Sequence, residues 1–218
     1  MKFTPMKFKN FFHEELDTEG IDDLSEIFLY ENRVLKRKIP PRLYAVINKS
    51  LKFDLPPPGY QLEIRTQAQL NMVGLVLKAV QEYKIIEELW ISTYSMIQPS
   101  FDLLIDLYRD EVIQKFNLII CESFRIRFPA TANYIKQIAQ ILKFNCIFVH
   151  NHAKITLIRA GENFLNIRGS MNYSLNSLGE QLTIENSKDV FDWDREFIQN
   201  IIVEKNKNLK RTEIVHWE

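Results

Sequence analysis

His152 and Lys154 stand two residues apart in the run HNHAKITLI, and Ser170 and Asn172 stand two apart in NIRGSMNYS. A β-strand sends alternate side chains to opposite faces, so each pair is expected to project together while Ala153, Ile155 and Leu157 turn to a buried side. The four polar groups would then converge on one surface. An imidazole offers a nucleophile, an ammonium a fixed positive charge, and a hydroxyl and an amide neutral hydrogen-bond donors, the groups that attack on a phosphodiester requires.

The spelling His152-x-Lys154, then Gly169-Ser170-x-Asn172, resembles the HKD motif of the phospholipase D superfamily. The usual form is H-x-K, four residues, D, then a short gap and G-S with an Asn nearby. Asn145-Cys146-Ile147-Phe148-Val149 leads toward the His, a turn at Ala160-Gly161-Glu162 separates the halves, and Glu180-Gln181-Leu182-Thr183-Ile184 reads as a further strand. The overall look is similar to single-motif, phospholipase D-like nucleases of bacteria and phages. Two features depart from the pattern. Arg159 stands where the family has Asp, a structural anchor near the turn rather than the attacking group, and the hairpin from Lys154 to Gly169 is a few residues longer than usual.

The resemblance implies two-step chemistry. A neutral His attacks phosphorus to give a phosphohistidine, a second, protonated His gives its proton to the leaving oxygen, and water then releases the product. Such a site takes two motifs, and His13, His150 and His216 begin no second H-x-K. One chain therefore supplies half a site, and a homodimer through the motif face is implied. On this scheme His152 is the nucleophile, Lys154 and Asn172 hold the non-bridging oxygens, and Ser170 binds phosphate or sets the loop. Glu180 matches the acidic residue that in the family supports the catalytic His, and would fix the His152 tautomer. Lys and His supply the positive charge, so neither metal nor cofactor is implied. Arg159 could add a phosphate contact, or be a solvated turn residue. Tyr94, Tyr173 and Trp193 could stack bases, or be core.

The elements that must position these residues can be read along the chain. At 218 residues there is room for one sizeable domain and an appendage. Lys plus Arg and Asp plus Glu are 28 each, so any pull on nucleic acid must be local. The basic stretch from Arg33 to Arg42 and the tail residues Lys205, Lys207, Lys210 and Arg211 are either solvated faces or such local contacts. Cys121 and Cys146 lie in apolar runs and read as unpaired core thiols in a reducing compartment. The opening MKFTPMKFKNFFHEEL has no signal-peptide core and no segment has the length to span a bilayer, so a cytoplasmic protein without membrane attachment is expected.

Residues 1–58 read as an N-terminal helical segment ending in a Pro-rich linker: a helix over Ile21–Tyr30, a second opened by Pro41 through LYAVINKSL, then Pro56-Pro57-Pro58-Gly59. Residues 59–204 alternate strand and helix. Strands are predicted at Tyr60–Arg65, Glu88–Tyr94, Leu118–Cys121 and Cys146–Val149, and helices at Gln67–Tyr83, Ser100–Lys115, Ala132–Leu142 and from Val190 onward. The alternation predicts an α/β fold with a mixed, mainly parallel sheet, the α/β/α sandwich of phospholipase D-like domains by resemblance. Residues 205–218 read as a polar tail that frays. The function expected is a phosphodiesterase acting on DNA or RNA; a phospholipase, or a non-catalytic domain binding nucleic acid or protein, are the alternatives.

Overall fold

The computed structural model of the protein describes residues 42–47, 53–66, 71–174 and 179–214, with the backbone alone for 42–47 and 206–214. The chain divides into Met1–Arg37 and Lys38–Glu218, and all described residues belong to the second unit. The helix expected at Ile21–Tyr30 lies outside the described residues.

The described elements are β1 (Arg42–Ile47), β2 (Gln61–Thr66), α1 (Met72–Tyr83), β3 (Glu88–Thr93), α2 (Gln98–Arg109), β4 (Phe116–Cys121), α3 (Glu122–Arg127) and α4 (Pro129–Leu142). They continue with β5 (Asn145–Val149), β6 (Ile155–Ala160), β7 (Asn163–Gly169), β8 (Glu180–Asn186) and α5 (Lys188–Ile214). Eight strands form one sheet in the order β1-β2-β8-β7-β6-β3-β4-β5. The pairs β1–β2, β3–β4 and β4–β5 are parallel and the other four antiparallel, so β6 and β8 alone run against the common direction. The sheet is mixed as expected, and six of its eight strands point one way.

Residue parity assigns side chains to two cores. Leu89, Ile91, Leu118, Ile120, Phe148, Ile158, Leu165 and Ile167 pack into the larger one, with α1, α2 and α4 over it; Met72, Leu75, Phe101, Leu104 and Ile135 are among the helical contributions. Their neighbours Trp90, Ile119, Ile147 and Leu157 face the other way and meet Phe191, Ile198 and Ile202 of α5. The strands read as continuous apolar runs because both faces are covered. The result is a sandwich of helix, sheet and helix. Full burial of each such aliphatic side chain is worth roughly 1.5–3 kcal/mol, which makes the sheet a rigid platform.

Three expectations are corrected. The segment after Pro41 is not a helix: Arg42–Ile47 is an extended edge strand paired on one side with β2, and Pro41 only permits a helix start. The second helix of the main domain ends at Arg109 rather than near Lys115, since Glu111 turns the chain at φ 59° and Ile113 bridges Ile86 beside the sheet. Helix α5 runs on to Ile214, through the region read as a fraying tail.

Candidate active site

The strand directions decide which loops meet. The C-terminal ends of β3, β4, β5 and β7 and the N-terminal ends of β6 and β8 all open on the same rim, with Ser92 opposite Ile155, Ile155 opposite Arg168 and Gly169 opposite Leu182. His152 and Lys154 precede β6, Ser170 and Asn172 follow β7, Glu180 begins β8, and Tyr94 follows β3. All six motif and aromatic residues are thus delivered to one edge of the sheet.

His152 and Lys154 do not sit on a strand face, as their spacing suggested. Residues 151–154 form an open loop and β6 begins at Ile155. Asn151 accounts for the difference. Its side-chain oxygen accepts from the Ala153 N–H at 3.0 Å, a local turn that competes with the ladder, and its amide donates to Ser92 Oγ at 2.7 Å. The Asn151 N–H is also directed at the Cys121 sulfur, which lies 3.0 Å from Ser123 Oγ. Burial pushes the Cys121 thiol up, but these hydrogen bonds with those of the Ser123 and Phe124 N–H groups outweigh it and hold the thiol below its ordinary value. The loop bearing His152 is therefore fastened to the ends of both β3 and β4. Behind Ile155, Leu157 is buried as expected, whereas Ala153 and Ile155 are half-buried.

His152 is exposed and Lys154 half-exposed. The Lys154 ammonium lies 3.4 Å from His152 Nδ1 and 3.2 Å from the His152 carbonyl oxygen. The Tyr94 ring is the floor of the group, its centroid 4.9 Å from that of His152 and 5.7 Å from Lys154 Nζ. A third cation joins them: the Arg127 guanidinium lies 5.0 Å from the Tyr94 centroid. Arg127 belongs to no motif. It reaches the site because α3 follows β4 and Tyr94 follows β3, two neighbouring parallel strands whose ends form a crevice of the kind that binds ligands in α/β sheets.

Ser170 and Glu180 are brought together across the β7–β8 ladder. The Ser170 hydroxyl donates to a Glu180 carboxylate oxygen, while its backbone N–H reaches Gln181 O at 3.0 Å and its oxygen accepts from Gln181 N–H at 3.1 Å. Glu180 thus holds Ser170, where support of His152 was expected; the side of His152 that carries Nδ1 is taken by Lys154. Gly169 makes this approach possible. A Cβ there would stand 2.8 Å from Leu182 Cα and Cβ and closer still to Gln181 O.

Asn172 is fixed from two sides. Thr93 Oγ1 lies 3.4 Å from its side-chain oxygen, and its carbonyl accepts the Met72 N–H at the start of α1 at 3.2 Å. The next residues stitch the loops after β3 and β7 together: Tyr173 N–H to Ser95 O at 3.2 Å, Ile97 N–H to Tyr173 O at 3.0 Å, and Ser95 Oγ to Ser174 Oγ at 3.0 Å. A rim so cross-linked holds its side chains with little freedom.

Two expected substrate contacts lie elsewhere. Tyr173 is 2% exposed, and its hydroxyl lies 2.7 Å from Thr156 Oγ1 beneath the sheet edge; burial pushes the phenol far up, and the ring is core. Arg159 sits at the opposite end of β6, with its guanidinium 2.7 Å from Glu87 and 3.0 Å from Glu88. Glu88 is buried and also accepts from Trp90 Nε1 at 2.9 Å. Arg159 is thus held by two acidic side chains at the far rim, away from His152.

No family model matches the chain, and no curated protein matches it. Among solved structures, the crystal structure of Nuc, a phospholipase D family member from Salmonella typhimurium, is similar. The two are 14% identical, with a TM-score of 0.46 over 58% of this chain and 83% of Nuc. At that level the likeness carries no argument about chemistry, and what the site can do follows from its own residues. Two free thiols are present, Cys121 and Cys146. Among the described residues no helix is long and apolar enough to cross a membrane.

Proposed function

We propose that this protein is a phosphodiesterase acting on DNA or RNA, with its active site completed by a second copy of the chain. One observation carries the reading: an exposed imidazole, an ammonium beside it, a bonded Ser–carboxylate pair and an oriented amide come from three separate segments to one rim of the sheet. An imidazole and an ammonium on one rim supply a nucleophile and a fixed charge, and the same rim of a second copy would supply the general acid. In the proposed reaction a ring nitrogen of His152 bonds to phosphorus as the P–O bond to the leaving alcohol breaks, and the second copy's His152 gives that oxygen its proton. Water then attacks phosphorus, gives a proton to that same His, and the N–P bond breaks. Lys154 and Asn172 hold the non-bridging oxygens as negative charge grows. Glu180 orients Ser170, whose hydroxyl sets the phosphate position.

The proposal is tested with purified protein on a chromogenic phosphodiester, supercoiled plasmid, single-stranded oligonucleotide and phospholipid vesicles. Turnover of the diester and a polynucleotide by a dimer, lost in His152→Ala, is the expected result. Equal behaviour of wild type and variant sinks the enzyme, turnover by a monomer sinks the shared site, and turnover of vesicles alone sinks the nucleic-acid substrate.

A further inference from the structure

We propose that Tyr94, Arg127 and Phe128 form a platform that seats the nucleotide next to the scissile phosphate, and that it takes an unpaired strand rather than a duplex. This rests on the phosphodiesterase reading of the adjacent site. Phe128 is 50% exposed and follows directly on Arg127, whose guanidinium reaches the Tyr94 ring beside His152, although the protein has two well-filled cores that take large apolar groups elsewhere. The exposure has a local cause. Pro129 opens α4, and the residue before a proline is steered out of helical geometry, so Phe128 breaks the chain between α3 and α4 at φ −130°, ψ 60°. Its ring rests on Phe124, centroids 5.3 Å apart, with about half of its surface toward solvent.

Arg127 lies between the two rings, 5.0 Å from the Tyr94 centroid and 5.8 Å from that of Phe128, with its Nε–H held by Ser123 O at 3.3 Å. A guanidinium tethered through Nε and flanked by rings keeps its two terminal amino groups for an anion. The platform therefore presents what a nucleotide displays: a flat face for Phe128 and a charge for Arg127, one residue apart and continuous with His152 and Lys154 through Tyr94. A duplex keeps its bases stacked on one another and cannot offer that face, whereas an unpaired strand can.

Binding decides the matter separately from cleavage. His152→Ala protein would be titrated with a fluorescent single-stranded oligonucleotide and with its duplex, alone and combined with Phe128→Ala or Arg127→Gln. Loss of one stacked base is expected to weaken single-strand binding about 5- to 150-fold in Phe128→Ala and leave duplex binding unchanged. Arg127→Gln is expected to lower the salt dependence of single-strand binding by about 0.7 in log K against log[salt], the value of one phosphate contact. Single-strand binding indifferent to both changes, or a starting preference for duplex, overturns the platform. If the chromogenic diester is still turned over in that case, the phosphodiesterase stands without it; if platform-dependent binding is found with no turnover of anything, the platform stands and the enzyme falls.

Discussion

The Lys154 ammonium lies 3.4 Å from Nδ1 of His152. An ammonium can only donate, so Nδ1 accepts in this contact and the proton of a neutral ring sits on Nε2. A phosphate is a better partner for the ammonium than a neutral imidazole, so substrate entry would draw Lys154 away and release the ring nitrogen beside it. Lys154→Met is expected to lower kcat on a chromogenic phosphodiester about 100- to 1,000-fold, with the unfolding midpoint unchanged because neither side chain is buried. A variant with wild-type kcat would remove Lys154 from the chemistry.

The Arg159 ion pair is a matter of stability and not of the site. Arg159→Ala removes the nearest cation from buried Glu88, while Lys115 and Arg195 remain 3.8 and 3.9 Å away. Those two and partial solvent access keep the cost near 1–2 kcal/mol, below that of stripping a fully buried charge. Denaturant titration should show that loss while activity per folded molecule holds; a loss of kcat with unchanged stability would contradict it.

Gly169 is fixed by space. Gly169→Ala sets a methyl group against Gln181 O and Leu182, which must move, at a cost of about 1–3 kcal/mol. The shift falls where Ser170 meets Glu180, so activity should drop further than Ser170→Ala alone brings about. Retention of full activity would show that this meeting is unimportant.

Stability should carry an alkaline signature of Cys146, whose thiol is pushed by burial from 9.0 up to about 12. A raised folded-state value stabilises the fold fully below pH about 9. That contribution fades as pH rises toward about 12, because the unfolded chain releases the proton first. Between pH 7 and 10 the wild type is expected to lose about 1 kcal/mol more than Cys146→Ala, read from unfolding at each pH. Parallel curves would refute the burial of this sulfur.

Hydrolysis by the proposed site should persist in EDTA, since His152, Lys154 and the partner's His152 provide nucleophile, charge and proton. Full restoration of a chelated sample by a divalent cation would argue for a different mechanism.

Strands β4 and β5 were legible because a strand covered on both faces is largely apolar, as the runs LIIC and CIFV show. Segment 42–47 was less so, since an edge strand and a short helix have similar local signals and only pairing with β2 separates them. The residue types at His152, Lys154, Ser170, Asn172 and Glu180 and their order along the chain were fixed by sequence, and with them the chemistry open to the rim. Which groups touch was not. Spacing gave Tyr173 the same standing as Tyr94, yet one ring packs beneath the sheet edge and the other lies against His152. It placed Arg159 near the motif, yet a strand of six residues carries it to the far rim. Arg127, 25 residues before His152 and in no motif, meets the site because β3 and β4 lie side by side and parallel. Composition and local pattern act along the chain, while strand order and direction decide which chain ends share a rim.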